Sequence, residues 1–256
     1  MKYLGKNKIS NIKRNKEVLG FNKYYNYNYF SIKKTTYLKF SGTDLFFYIL
    51  CCKDKNSKII IGGKSAVLFQ DELLRVKKNK SKKIKISTNT KVVILVVFKP
   101  SHLKNISSSN IMKIKNIYNV KKPWGYEKWL TGSTNKNYAF KKIFLKKGSK
   151  TSLQYHIKKI ETNFLFSGNA KLHYMFKKIP LKKKNFLKIS KSIKTKIIKN
   201  GSVINVNPKT IHRLEAISDL MLFEVSSPHL SDVVRVSDVT NRPDGKIKNE
   251  HSKKLN

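Results

Sequence analysis

Short apolar runs broken by polar turns make up most of this chain. From about Tyr29 to Lys99 the runs are Thr36–Phe40, Leu45–Cys51, Lys58–Ile61, Ala66–Phe69, Leu73–Val76, Lys82–Ile86 and Val92–Phe98. Ser41-Gly-Thr-Asp44, Lys53-Asp-Lys-Asn56 and Gly62-Gly63 separate some of them. A second series, from about Tyr138 to Val236, contains Phe140–Leu145, Thr151–His156, Thr162–Phe166, Lys171–Phe176, Ser202–Val206, His212–Ala216 and Leu220–Val225. Many short strands at close spacing predict an all-β sandwich or barrel. Long amphipathic helices are hard to find in either half. Val92–Phe98 is uniformly apolar but far short of the roughly 20 residues of a membrane helix, so it reads as a buried strand and no membrane partner is expected.

The two series resemble one another, which predicts an internal repeat. Asp71-Glu-Leu-Leu-Arg-Val76 parallels Gly201-Ser-Val-Ile-Asn-Val206. Val93-Ile-Leu-Val-Val-Phe98, leaving through Pro100, His102 and Leu103, parallels Leu220-Met-Leu-Phe-Glu-Val225, leaving through Pro228, His229 and Leu230. The chain of 256 residues is long enough for two such units.

Charge adds a question. Lys and Arg number 56 against 14 Asp and Glu, a formal net charge of +42. Such an excess suits a nucleic-acid or anionic-surface binder. The basic residues are nearly all Lys, however, scattered among Asn, Ile, Tyr and Phe, the mixture that AT-rich coding produces. No RNA-recognition, helix-turn-helix or zinc-finger pattern is present, so a nucleic-acid partner is not the expectation. A small anionic substrate fits either reading. Cys51 and Cys52 are neighbours that face opposite sides of a strand, so no structural disulfide is expected and a reducing cytoplasm is. The basic first residues lack the apolar core of a secretory signal.

The candidate chemistry lies in the second series. Gln154 and His156 are two apart and share a strand face. Glu161 follows a short turn, on the strand expected to pair back, and His212 comes much later. A lone histidine is more often a hydrogen-bonded core residue than a ligand. An amide oxygen, two imidazoles and a carboxylate together form a ligand set for Zn²⁺ first, and also for Mn²⁺, Fe²⁺ or Ni²⁺.

The spacing of these residues resembles the first cupin motif. Gly148, five residues, Gln154-x-His156, four residues, Glu161, six residues and Gly168 match it, with Gln in place of the first His. Gly201 to His212 resembles the second motif, its Pro-x-Gly turn altered to Asn207-Pro208-Lys209. Over residues 121–242 the chain is most similar to type II mannose-6-phosphate isomerases and their small stand-alone relatives. Lys122-Pro-Trp-Gly-Tyr-Glu127, Ser152-Leu-Gln-Tyr-His156, Ile211-His-Arg-Leu-Glu215, Glu224-Val225 and Asp232-Val-Val-Arg235 carry that likeness. Two departures stand out: Lys159 replaces an Arg, and Thr162 replaces a His of the family's active site. The nucleotidyltransferase domain that often precedes this cupin is absent from the sequence, so a bifunctional sugar-nucleotide synthetase is not expected.

The resemblance implies a bicupin: two double-stranded β-helix (jelly-roll) barrels, the N-terminal one degenerate. Expected divisions are a flexible basic N-terminus (1–16), a barrel without metal ligands (17–106), a linker (107–120), a metal-binding cupin (121–242) and a flexible tail (243–256). Lys177–Lys199 is a Lys-rich insertion, either a hairpin or a mobile loop. The first barrel, having no His around Ser41–Leu50, is left with packing or dimerisation, and a homodimer is the assembly to test. The implied reaction is metal-dependent interconversion of mannose 6-phosphate and fructose 6-phosphate, or of a related sugar phosphate, in polysaccharide or nucleotide-sugar metabolism. Metal ligands would be Gln154, His156, Glu161 and His212. Lys141, Glu224 and Arg213 are the catalytic candidates, and Arg235, Arg213 and Lys159 the phosphate contacts. Competing readings are a cupin dioxygenase or epimerase, a non-catalytic sugar- or polyanion-binding bicupin, and a charge-driven nucleic-acid binder.

Overall fold

A computed structural model describes residues 7–77, 83–101, 110–176 and 190–252. The chain forms two compact units: one over Lys13–Ile117, the other from Tyr118 onward and including the segment that ends at Ile12. The first strand, β1 (Lys8–Asn11), therefore belongs to the second unit.

The first unit packs two sheets face to face. One contains β2 (Lys16–Phe21), β3 (Asn26–Ile32), β5 (Gly42–Cys52), β8 (Leu73–Lys77), β10 (Val92–Pro100) and β11 (Asn110–Lys113), in the order β11-β8-β5-β10-β3-β2. The other contains β4 (Thr36–Leu38), β6 (Lys58–Ile61), β7 (Lys64–Val67) and β9 (Ile84–Ser87), in the order β4-β9-β6-β7. Alternation puts Leu45, Phe47 and Ile49 of β5 on one face, where they meet Ile59, Ile61, Ile84 and Ile86 from the opposite sheet. Phe40 packs edge-on against Phe30, Phe47 and Phe98 at centroid distances of 5.8, 5.9 and 5.4 Å. Burying each such side chain contributes about 1.5–3 kcal/mol, and the interior of this barrel is filled by them.

The second unit repeats the topology. Its larger sheet comprises β1, β12 (Tyr118–Lys122), β13 (Gly125–Trp129), β14 (Ala139–Leu145), β16 (Glu161–Ser167), β19 (Ser202–Val206) and β21 (Leu220–Ser226). Their order is β1-β19-β16-β21-β14-β13-β12. The smaller comprises β15 (Leu153–Tyr155), β17 (Asn169–Met175), β18 (Lys194–Lys199), β20 (Ile211–Ala216) and β22 (Val234–Ser237), in the order β18-β17-β20-β15-β22. Replacing β8, β5, β10, β3 and β2 by β19, β16, β21, β14 and β13 converts one large sheet into the other. All these pairings are antiparallel. The repeat seen in the apolar pattern is thus a repeat of the jelly roll itself. A short helix, α1 (Lys248–Ser252), follows the last strand.

Several expected boundaries shift. The basic N-terminus carries β1, which pairs with β19 in the register Lys8↔Asn205 to Asn11↔Ser202. The linker carries β11 and the start of β12, and the tail carries α1. Part of the Lys-rich insertion is β18, paired with β17; residues 177–189 lie outside the described residues. Glu161 does not lie on a strand that pairs back onto β15. It opens β16, which crosses to the larger sheet and pairs with β19 and β21. A jelly roll closes by such crossings, so ligands adjacent in sequence come from opposite sheets.

Two turn positions show how the sequence sets these crossings. Gly168 has φ 86°, and a Cβ there would stand 2.2 Å from the Asp219 carbonyl oxygen, so only glycine fits. Lys209 occupies the glycine position of the altered Pro-x-Gly turn and has φ 60°, unusual for a side-chain-bearing residue. Its N–H donates to the His156 carbonyl at 2.6 Å, which holds the turn against the histidine it supports.

Candidate metal centre

In the second barrel, β15 and β20 run side by side with Gln154 opposite His212. His156 follows β15 directly and is 0% exposed. Glu161 enters from the other sheet. Among the described residues, His156, Glu161 and His212 form the one group of His, Cys, Asp or Glu side chains whose donor atoms converge, all within 4.8 Å of one another. His156 Nε2 is 3.1 Å from Glu161 Oε1, and His212 Nε2 is 3.3 Å from Glu161 Oε2. Gln154 lines the same cavity.

Backbone carbonyls set the tautomers. His156 Nδ1 contacts the Asp232 carbonyl, and His212 Nδ1 lies 3.1 Å from the Thr210 carbonyl. A ring nitrogen facing a carbonyl carries the proton, which leaves both Nε2 atoms as lone pairs aimed at the carboxylate. Burial, only partly offset by Glu161, holds His156 below the ordinary imidazole range. The 3.1 Å approach is then acceptor to acceptor rather than a hydrogen bond, and His156 Nε2 is buried without a partner. Lone pairs converging on one point are what a cation requires. Two imidazole nitrogens, a carboxylate and a nearby amide fit a divalent metal.

Asp232 is the clasp of this site. Its carbonyl receives His156, and its carboxylate accepts the backbone N–H groups of Ile157, Lys158 and Lys159 at 2.8, 2.5 and 2.8 Å. Burial would raise that carboxyl, but the three N–H donors hold it below the usual range. The clasped loop turns the Lys159 side chain inward, where it is 4% exposed. Lys159 Nζ donates to Glu161 Oε1 and, at 3.2 Å, to Glu224 Oε1. Burial would raise the Glu161 carboxyl as well; the Lys159 ammonium beside it keeps it well below the carboxylate range.

Beyond Lys159 the ion pairs continue. Glu224 Oε1 is 3.7 Å from Lys141 Nζ, which is 3.2 Å from Glu127 Oε2 and lies over the Trp129 ring at 4.4 Å. Glu127 accepts Trp129 Nε1–H at 2.7 Å. Burial opposes its ionisation, yet Lys141, Lys122 and that indole keep its pKa at about 2. Lys122 reaches Glu250 of α1 at 2.7 Å. Carboxylate and ammonium thus alternate from the metal cluster to the C-terminal helix. His251 of α1 adds its ring to Trp129 at 5.3 Å.

The cavity of about 120 Å³ bounded by these groups has an apolar floor that includes Trp124, Leu172, Ile204 and Leu222. Lys141 and Glu224, candidates for proton transfer, both line it, as do Lys159 and Arg235. Arg213 is not among the lining residues; its guanidinium donates to the Thr151 and Ser237 carbonyls, both at 2.9 Å. Arg235 donates to the carbonyls of Pro243 and Gly245 and to Ser152 Oγ, tying down the segment before α1. Neither arginine presents an unengaged fork to a phosphate. Thr162, at the family's histidine position, is buried and donates to Asn205 Oδ1 at 2.6 Å.

Asp232, Glu127, Trp129 and Glu250 were not singled out from the sequence. The first three lie within or beside the quoted Lys-Pro-Trp-Gly-Tyr-Glu and Asp-Val-Val-Arg stretches, which was the available signal.

The corresponding place in the first barrel is closed. Gly42 opens β5 as Glu161 opens β16, and a Cβ at Gly42 would stand 2.2 Å from the Phe98 ring.

The two jelly rolls, with one ligand cluster among the described residues, make the fold a bicupin. No family model matches the chain, and no curated protein matches it in sequence. Solved structures do match. One is an oxalate decarboxylase studied for substrate binding and a reaction-specificity switch, with TM-score 0.55, 12% identity, and 83% of this chain and 71% of that one covered. A Lactobacillus farciminis oxalate decarboxylase in a formate complex gives TM-score 0.54 and 10% identity over 82% and 79%. A Bacillus subtilis oxalate decarboxylase, described for its Mn(II) centres, gives TM-score 0.51 and 13% identity over 83% and 71%. At this identity the likeness establishes the fold alone. The named neighbours are oxalate decarboxylases and not mannose-6-phosphate isomerases, and Mn rather than Zn is the metal named among them. No helix among the described residues is long and apolar enough to cross a membrane.

Proposed function

We propose that the second barrel is a divalent-metal site acting on a small oxygen-rich anion or hydroxy-carbonyl compound, and that Lys141 and Glu224 handle protons beside it. The observation that carries this reading is the pair of carbonyl-locked imidazoles whose free Nε2 atoms converge on Glu161. Gln154, His156, Glu161 and His212 would hold the ion. When bound, it supplies Lewis-acid polarisation of a substrate carbonyl or carboxylate. Glu224, held by Ser226 Oγ at 3.0 Å and by two lysines, is the group to take a proton from carbon. Lys141, 3.7 Å from it, donates to the oxygen that gains charge. The apolar floor limits the water that reaches the reacting atoms.

On mannose 6-phosphate these two groups would move a proton between the first and second carbons, as the sequence resemblance implies. The phosphate would then fall to Lys246, which lines the cavity, because Arg213 and Arg235 are engaged with carbonyls. A second reading, decarboxylation of a small dicarboxylate, is favoured by the named fold neighbours and by the modest cavity.

The test combines elemental analysis of the purified protein with two assays: mannose 6-phosphate/fructose 6-phosphate interconversion and loss of oxalate. One equivalent of Mn or Zn, absent from His156→Ala, together with turnover in one assay, is the expected result. Metal that survives His156→Ala, or no metal in either protein, overturns the proposal.

A further inference from the structure

Lys159 sits where a metal-binding site gains nothing from a lysine. Its ammonium is buried, is presented by a loop that three N–H groups fix to Asp232, and donates to Glu161 Oε1, the oxygen that faces His156 Nε2. Glu161 is the one carboxylate of the converging group, so its charge is what an incoming dication would meet. Near that point the fixed charges are Glu161, Glu224, Lys159 and, 3.7 Å from Glu224, Lys141; of the two ammoniums it is Lys159 that sits on Glu161. Two like charges brought together at low dielectric repel strongly, and Lys159 and the dication want the same oxygen.

We infer that Lys159 is a built-in counter-cation that competes with the divalent metal for Glu161 and sets the site to hold its metal weakly. The inference rests on the metal-site reading. Without metal, the ammonium satisfies Glu161 and keeps the barrel folded. With metal, Glu161 Oε1 is surrendered and Lys159 remains on Glu224, to which it already donates at 3.2 Å. Loading is thus an exchange of one cation for another, not the filling of an empty acidic pocket. Glu224 is the pivot of the exchange because it binds Lys159 in either state. Lys159 is therefore a positioning residue whose effect runs through Glu161.

The experiment measures Mn²⁺ and Zn²⁺ affinity by chelator competition in the full chain, comparing wild type with Lys159→Met and with the double variant Lys159→Met/Glu224→Gln. The single variant removes the ammonium at nearly constant volume. The double variant also removes the pivot's charge, which keeps the apo barrel from burying two carboxylates that have both lost Lys159. Tenfold or greater tightening in either variant is expected, and metal should raise the melting temperature of Lys159→Met more than that of wild type. A gain of affinity is not an effect that structural damage produces. Metal captured by Lys159→Met but not by wild type overturns the inference together with the proposed function, since no exchange then takes place in the protein as it exists. One equivalent bound by wild type, with unchanged or weaker affinity in both variants, overturns the inference and leaves the metal site standing. No metal in any of the three proteins overturns the metal site and the inference together.

Discussion

Glu161→Gln in the metal-free protein isolates the contribution of the central carboxylate. Glu161 is 3% exposed and Lys159 4%, so the substitution breaks a buried ion pair from one side. Losing one partner of such a pair costs about 3–5 kcal/mol when the other charge is stranded. Lys159 is not fully stranded here, since Glu224 accepts from it at 3.2 Å. The introduced amide can also donate to one imidazole Nε2 that had no donor. The expected loss is therefore at the lower end, about 2–3 kcal/mol, or a melting temperature lower by roughly 6–12 °C for a unit of this size. Both tryptophans of the chain, Trp124 and Trp129, lie in the second unit and are buried, so indole fluorescence follows that unit alone. Urea titrations at pH 7 with a chelator present would be read this way. The pH dependence supplies the sign check. Because the folded Glu161 carboxyl is held well below its unfolded value, its contribution is fully present above about pH 4.5 and is lost as pH falls further. The gap between wild type and variant should accordingly narrow in acid. Equal stabilities at pH 7, within about 0.5 kcal/mol, would refute the buried Lys159–Glu161 pair.

Three further outcomes follow from the same framework. Lys209→Gly relieves a side-chain-bearing residue at φ 60° and should stabilise the second unit by about 0.5–1 kcal/mol in the fluorescence assay, metal affinity unchanged. Burial, with Lys122 and Lys246 nearby, depresses His251 to about 4; a histidine docked neutral favours the folded state less as pH falls from about 6.5 through about 4, so hydrogen-exchange protection at α1, taken relative to the intrinsic rate at each pH, should fall over that window. A chain beginning at residue 13 lacks β1 and the packing of Ile9 on the second core, and its indole-reported stability should fall by about 2 kcal/mol.

The fold was legible because its strands are apolar at period two and its halves repeat. Lys58–Ile61 and Ser202–Val206 coincide with β6 and β19 to the residue. Strands that escaped notice include two whose polar residues mask the apolar alternation, one of them with Asn28 buried on the face of Phe30 and Ile32. β18, Lys-Thr-Lys-Ile-Ile-Lys, buries only Ile198 fully, and β3 interleaves Asn with Tyr. The metal cluster was legible because its spacing is set by short turns. The environment of Lys159 was not, because Glu224 lies 65 residues away and meets it only when β16 pairs with β21. The carbonyl partners of the arginines were illegible for a related reason: a guanidinium that fits a phosphate also fits two backbone carbonyls, and only the path of the chain decides which it meets.

The placement of β1 has a consequence for how the chain is made. Lys8–Asn11 emerges before the first jelly roll, but its partner Ser202–Val206 is produced only after that whole unit. Until then a strand with Ile9 and Ile12 beside it has no sheet to join, while the first unit can already fold from Lys13 onward. Closing the second barrel's edge is a late event with a large loop between the paired segments, the kind of contact that slows folding. The interval leaves that edge of β19 open to strand addition by another nascent copy. Slow translation or a tag fused ahead of β1 should therefore show itself as swapped or aggregated protein before it shows as lost activity.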